Sequence, residues 1–554
     1  MQKPASLTLL AVALAALGAG QAQAQVVLTP STPQIGSSNP VTAEPLVPRP
    51  TTKPCVVQLY NNIAFDDFNT KPFTYTPPSD CRGPWAKVVF TADFTYTGGG
   101  YDRTASVFIG NATVFYGTTP ESNSWHVERD VTDLSAIFAN SQTSATSYAY
   151  LGNSTGIIYG NAALEFYPAD FRNPAPRTPD LVIPAGQGVG LWDGTTTYTQ
   201  TLNLPQNVTE IYADVISQNQ STDEAFYLEL PNDVAGDAIY GGGNGSFRET
   251  EISLDGNPAG LAPAYPWIFT GGLNPYNWVP ITANQTLDLK PYRVNLTPFA
   301  ATLDDGQPHT IVFSEYNSND YFLLAANLLV YLDHGRKKVT GELVENTLTA
   351  PVAPTEVDGI TSDASTGAMT GPVTVSTSRS FKIRGFVDTS EGRVETAIDE
   401  TASFTNTNTL NYNLNTYFPL DQQAQQQTTV DSVTSTDHGG LVKVSKEHLS
   451  YPLFVDLSYN GGYIDAPTVD QQYIRNTTES WTTRNGWPLG KPYTTSISEE
   501  TKSTASWNFN TGALSGNSSQ NYTATDSEGA CYNETLTSAN FVLTGVTNNC
   551  HAHK

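Results

Sequence analysis

The stretch Ala86-Lys87-Val88-Val89-Phe90-Thr91-Ala92-Asp93-Phe94 is short, rich in β-branched and aromatic residues, and free of helical periodicity, so it reads as a strand. Similar runs recur along the 554-residue chain, among them Ala162-Ala163-Leu164-Glu165-Phe166-Tyr167, Tyr212-Ala213-Asp214-Val215-Ile216, Phe247 to Leu254, Tyr321 to Leu332, and Phe381-Lys382-Ile383-Arg384-Gly385-Phe386-Val387. Thr, Ser, Asn, Gly and Tyr are abundant, and long apolar helical patterns are scarce. The expected class is all-β, with sandwiches or jelly rolls as the default architecture. No clean internal repeat is visible, and the polar tract Gln422 to Gln427 reads as a loop.

Composition divides the chain. Lys3, the apolar run Leu9 to Gly18 and Ala22-Gln23-Ala24 read as a secretory signal over residues 1–24, too short to span a bilayer. Residues 25–54 are Pro- and Thr-rich and predict an extended or disordered leader. A first domain is expected over 55–171. A stiff proline linker follows over 172–179, then a second domain over 180–335 and a β-rich C-terminal region over 336–554. The basic run His334-Gly335-Arg336-Lys337-Lys338 marks the second boundary and a candidate processing site.

A net charge of −26 argues against nucleic acid or an anionic membrane as partner, and suits an acidic medium. Four cysteines in an exported chain suggest disulfides, with three possible connectivities. Sequence proximity favours Cys55–Cys81 and Cys531–Cys550. Sequons such as Asn111, Asn207 and Asn295 are glycan acceptors only in a host that glycosylates. The expected location is secreted, or periplasmic in a Gram-negative host.

No Gly-x-Ser-x-Gly elbow, His-Glu-x-x-His pair, phosphate loop or dinucleotide fingerprint occurs, and His551-Ala552-His553 lies in the last few residues. What remains is the equipment of a carbohydrate site: aromatic rings, amides, and carboxylates on loops. The triple glycine Gly98-Gly99-Gly100 leads into Tyr101-Asp102-Arg103 at the mouth of a strand. Trp85, Asp223, Glu224, Asn244, Arg248, Glu249 and Trp278 supply further candidates. Taken singly, each also fits an ordinary structural part, with Trp85 in a core and Trp278 as an inter-sheet plug.

Several stretches in order resemble the amidase A family of acidic peptide-N-glycanases. They are Tyr101-Asp102-Arg103-Thr104-Ala105-Ser106-Val107-Phe108, Asp130-Val131-Thr132, Gly243-Asn244-Gly245-Ser246-Phe247-Arg248-Glu249, and Thr270-Gly271-Gly272-Leu273-Asn274-Pro275 with Trp278 and Pro280. The likeness runs from about Cys55 to Asp333 and continues weakly at Ser376 to Phe381. It implies two tandem jelly-roll domains similar to those of peptide N-glycosidase F, with a catalytic aspartate matching Asp102 and its arginine matching Arg103. Glu224 and Glu249 are the nearest candidates for that enzyme's helper glutamates. The family's His-Gly-Asn-Asp-Glu loop reads Gln218-Asn219-Gln220-Ser221-Thr222-Asp223-Glu224 here, keeping the acidic pair and losing the histidine.

The implied activity is hydrolysis of the β-aspartylglucosylamine bond of N-glycosylated peptides and glycoproteins. Asp102, Arg103 and Glu224 would be catalytic; Tyr101, Trp85, Asp223, Asn244, Arg248, Glu249 and Trp278 would hold substrate. Neither a metal nor another cofactor is required by this chemistry. A non-catalytic glycan-binding protein and a glycoside hydrolase acting through two carboxylates are the alternatives.

Overall fold

The structure is a computed structural model that describes residues 33–97, 103–120, 124–148, 156–235, 243–412, 422–438, 441–457, 459–460, 463–464, 466–483, 486–508 and 511–550. It is mostly β. The first eight strands are β1 (Cys55–Phe65), β2 (Lys71–Tyr75), β3 (Trp85–Thr97), β4 (Thr104–Ile109), β5 (Ala112–Thr118), β6 (Ser124–Asp130), β7 (Gln142–Tyr148) and β8 (Ile157–Pro168). They form two antiparallel four-stranded sheets in the orders β1-β8-β3-β6 and β2-β7-β4-β5. That order, in which the first strand pairs with the eighth, is a jelly roll.

The next eight repeat it. They are β9 (Leu181–Trp192), β10 (Thr197–Leu202), β11 (Val208–Gln220), β12 (Glu249–Leu254), β13 (Asn257–Pro263), β14 (Tyr292–Asn295), β15 (His309–Glu315) and β16 (Tyr321–Leu332). Their sheets run β9-β16-β11-β14 and β10-β15-β12-β13, the same topology shifted by eight strands. The repeat is one of strand order.

Each sandwich closes on alternating apolar faces. The first core is aromatic: Phe90 stacks on Phe115 at 5.3 Å between ring centroids, and Phe94 on Trp125 at 5.2 Å. The second is aliphatic, with Ile211, Ala213 and Val215 of β11 facing Ile252, Leu261 and Ile311 of the opposite sheet.

The sandwiches are joined by amide pairing. Asn327 of β16 accepts from Thr113 N at 3.0 Å and donates to Thr113 O at 2.9 Å, acting as one more residue of a ladder. Residues 286–289 run along β5, where Thr118 N donates to Thr286 O at 3.2 Å and Leu289 N to Tyr116 O at 3.0 Å. Gly117 permits this approach, since a Cβ there would lie 2.2 Å from Leu287 O.

The C-terminal region is a 13-stranded antiparallel sheet. Phe381, Ile383, Val387, Val394 and Ile398 of its long hairpin complete the second sandwich's core. The Gln422 tract is a strand, Gln422–His438, instead of a loop. It pairs with Gly392–Tyr412 on one side and with Leu453–Leu457 and Leu441–Ser450 on the other, so ladder bonds override its weak propensity.

Residues 33–54 are extended and tied to all three units. Val41 bridges Ile281, Ala43 N donates to Gln520 Oε1 at 2.6 Å, and Arg49 pairs with Glu128 and Glu165. The two disulfides are Cys55–Cys81 and Cys531–Cys550. Among the described residues no helix is long and apolar enough to cross a membrane.

Candidate active site

Four chain segments meet where the two sandwiches join. β4 begins there at Thr104, just after Arg103, and β5 ends there at Thr118, just before Thr119. β11 ends there in Gln218-Asn219, running into the 3-10 turn Ser221–Leu228; the loop Trp267 to Gly272 is the fourth. Arg103 N donates to Thr119 Oγ1 at 2.9 Å, and Thr119 N returns a bond to Arg103 O at 3.1 Å. Thr270 Oγ1 donates to Thr119 O, carrying the loop to the first sandwich. Thr104 Oγ1 donates to Gln218 Oε1 at 3.2 Å across the same junction. Asn219 Nδ2 then holds the Glu224 carbonyl and, at 3.3 Å, the Trp267 carbonyl.

Glu224 is held by Asn219 of the second sandwich, next to Gln218, whose amide takes the bond from the first. Its carboxylate lies against the Thr-Gly-Gly loop, where a Cβ on Gly272 would meet Glu224 Oε1 at 3.4 Å and Phe269 O at 3.1 Å. Trp278, buried in the core behind, fixes that loop by donating from Nε1 to Gly272 O at 2.8 Å. Gln218 Nε2, Asn219 Oδ1 and Trp267 Nε1 are buried with no hydrogen-bond partner among the described residues. Such atoms are uncommon in folded proteins, and three at one junction mark it.

Asp223 and Arg248 lie behind the turn with side chains wholly buried. Asp223 accepts from Arg248 Nε at 2.9 Å, from Asn319 N at 3.1 Å and from Asp320 N at 2.6 Å. Arg248 also donates to Gly245 O at 2.8 Å and Phe247 O at 3.0 Å, and pairs with Glu229. Their hydrogen-bonding capacity goes into the protein, clamping the turn that presents Glu224.

Other sequence candidates lie elsewhere. Trp85 packs in the first core, 4.7 Å from Phe166 between centroids, and donates to Cys81 O at 3.0 Å. Glu249 pairs with Arg379 of the C-terminal sheet and lines a cavity of about 20 Å³ that Glu400 also lines. Asn244, at φ +73°, ties its loop to Asn232 and Ser318, with its N accepted by Asn232 Oδ1 at 2.9 Å. Tyr101 and Asp102 lie outside the described residues, next to Arg103.

Sequence reasoning missed Gln218 and Asn219 as site residues, and Glu315, whereas the stretch Trp267 to Trp278 is one the sequence offers. Burial pushes the Glu315 carboxyl up to about 8, against bonds at 2.7 Å from Ser217 and Thr250 that pull it down. The signal was present in β15: Ile311 and Phe313 point inward, and Glu315 occupies the next inward position.

Tandem jelly rolls thus carry, at their junction, the Glu224 carboxylate, the buried Arg103 and side-chain amides without partners among the described residues, which defines a two-sandwich β protein with a polar site. The family model for peptide N-acetyl-beta-D-glucosaminyl asparaginase amidase A matches residues 45–349. A peptide-N4-(N-acetyl-beta-glucosaminyl)asparagine amidase A of Prunus dulcis is 30% identical over 465 residues, 77% of this chain and 79% of that one. The chain belongs to the amidase A family, and with it to the amide-cleaving hydrolases.

Two solved structures are similar at lower identity. PNGase F of Flavobacterium meningosepticum is 14% identical with a TM-score of 0.35, over 50% of this chain and 96% of that one. PNGF-II is 14% identical with a TM-score of 0.36, over 51% of this chain and 66% of that one.

Proposed function

We propose that this protein is a secreted amidohydrolase that releases N-linked glycans whole, converting the glycosylated Asn to Asp. The observation that carries the assignment of the site is the convergence of Arg103, Glu224 and the Thr270-Gly271-Gly272 loop on one junction. The scissile amide is unactivated, so it needs an oriented water, a polarised carbonyl and a proton for the leaving nitrogen. Asp102 orients the water and the first sugar, and the adjacent Arg103 keeps it ionised by proximity of opposite charge.

Glu224 supplies the second carboxyl, as acid or as carbonyl orienter. Glu249 is the weaker candidate, because its carboxylate is committed to Arg379. Asp223, Arg248, Asn244 and Trp278 position the turn and loops, and Tyr101 contributes the aromatic surface. Water adds to the carbonyl carbon, and the C–N bond breaks as the nitrogen takes a proton. The products are an aspartyl peptide and a glycosylamine that loses ammonia in water.

Mass spectrometry of one defined N-glycopeptide at mildly acid pH tests this. The wild type should release the intact glycan and leave Asp. Asp102→Asn and Glu224→Gln should each lose about 10²–10⁴ in rate. A sugar left on Asn makes the protein a glycosidase. Retention of uncleaved glycopeptide makes it a binding protein, and a fully active Asp102→Asn removes the assigned site.

A further inference from the structure

A groove of about 1380 Å³ runs between the second sandwich and the C-terminal sheet; neither Arg103 nor Glu224 lines it, and of the junction residues it reaches Trp267. One wall is the edge of the second sandwich, including β14. The other is formed largely by one face of two paired strands, with Thr389, Val394 and Thr495 beside them. On strand Thr468–Thr483 the residues lining it are Tyr473, Arg475, Thr477, Glu479 and Trp481, every second position. The partner strand, Leu441–Ser450, contributes Lys443, Ser445, Glu447 and Leu449, directly opposite, and also Lys446 from between them. At about 3.3 Å per residue, Tyr473 to Trp481 spans about 26 Å, far longer than one sugar ring.

The lining chemistry is specific in two ways. Eight of the 42 lining residues are aromatic, against 11% of the chain. Six lysines and arginines face seven aspartates and glutamates, whereas the chain as a whole carries 27 against 53. The charges are also paired in place: Arg475 with Glu447 at 2.6 Å, Lys443 with Glu479 at 2.9 Å, Arg293 with Asp214 at 2.6 Å. A near-neutral wall of flat rings and planar, bidentate polar groups suits a long neutral ligand whose faces are C–H and whose rim is hydroxyl.

The aromatic series also points toward the catalytic junction. Trp267, whose carbonyl holds Asn219 beside Glu224, contacts Tyr265 at 5.4 Å between centroids; Tyr265 meets Tyr451 at 5.0 Å, and Tyr451 stacks on Tyr473 at 5.6 Å. Trp481, 44% exposed, stands at the far end with Lys443 over its ring.

We infer that this groove is a second, non-catalytic oligosaccharide-binding site, taking a neutral glycan chain along the β-strand face from Tyr473 to Trp481. It does not depend on the amide-cleaving reading, because it would bind a sugar chain that has no amide. The C-terminal sheet would then hold a branch remote from the scissile bond.

The test is calorimetric titration with a free, reduced oligomannose oligosaccharide against wild type, Trp481→Ala, Trp481→Phe and Glu224→Gln. Trp481→Ala should weaken binding at least tenfold, as loss of a tryptophan anchor does. Trp481→Phe should retain most of the affinity and Glu224→Gln all of it. Cleavage of a glycopeptide bearing a single N-acetylglucosamine should be unchanged in Trp481→Ala, since that substrate has no chain to reach the groove. Wild-type affinity in Trp481→Ala overturns the inference, as does loss of binding in Glu224→Gln, which would place the sugar in the cleft. Binding of the aglycosyl peptide instead of the oligosaccharide overturns it in favour of a peptide groove.

Discussion

The two sandwiches have the same strand order and opposite interiors. Among the described residues of the first, Arg103 alone is both buried and charged, and it stands at the junction. In the second, Asp223, Glu229, Arg248, Glu249, Asp288, Asp304, His309, Glu315 and Asp333 are all buried. The first is an aromatic core stapled by Cys55–Cys81; the second encloses a triad of Asp223, Arg248 and Glu229. One topology can thus be stabilised with a single fully buried charge among its described residues, so the many charges of the second sandwich need another explanation. Their bonds supply it: Asp223 and Arg248 anchor the turn that carries Glu224 to the strands around it. The specialised interior belongs to the half that positions Glu224.

That contrast breaks most visibly at Arg248. Arg248→Met should cost about 3–5 kcal/mol, because two carboxylates are left buried without their cation. Its midpoint in a denaturant titration should fall accordingly, and activity should fall in whatever fraction still folds, because the turn loosens. The matching change in the first sandwich is Lys87→Ala, whose pair with Asp130 is half in solvent; it should cost under about 1 kcal/mol. Equal costs would dissolve the distinction between the interiors. Next in size, Cys55→Ser with Cys81→Ser should lose about 3 kcal/mol by freeing the unfolded chain. Limited proteolysis should then cut in the first sandwich before the second.

The difference between the halves also explains what could be read in advance. Strand alternation exposed the class: the sequence run Tyr321 to Leu332 is β16 to the residue. The repeat stayed hidden because it resides in long-range pairings such as Cys55 with Phe166, which leave no local pattern. Asp223 and Arg248 were read as substrate contacts from residue type alone, and complete burial with every polar atom engaged is a property of the fold. Gln218 and Asn219 were passed over as ordinary polar residues at a lost histidine, although their amides bridge the two sandwiches and the turn. The leader's prolines suggested looseness. What orders it is a handful of side-chain bonds and one bridge, which prolines do not prevent.

The smallest effect sharpens the comparison with acidity. Glu128, half-buried in the first sandwich, is pulled down to about 2 by His126 and Arg49 against the desolvation that raises it. Its stabilisation is present above the unfolded value near 4.5 and is lost only as pH falls toward 2. Glu315, in the second, is raised to about 8 by burial, so the sign reverses. The folded state holds a proton that the unfolded state releases; the contribution is whole below about 4.5 and drains away as pH rises through 8. Between pH 5 and 6 one such carboxyl takes about 1 kcal/mol, and Glu128 takes almost nothing. Glu315→Gln keeps the neutral shape at all pH. Denaturant midpoints measured at pH 5 and 6 should therefore fall with pH in the wild type and fall less in Glu315→Gln. An unchanged slope would mean that Glu315 is ionised in the fold, and that the second sandwich's buried acids are held by cations as Glu128 is. A flattened slope would tie greater stability in acid to the same interior that positions Glu224.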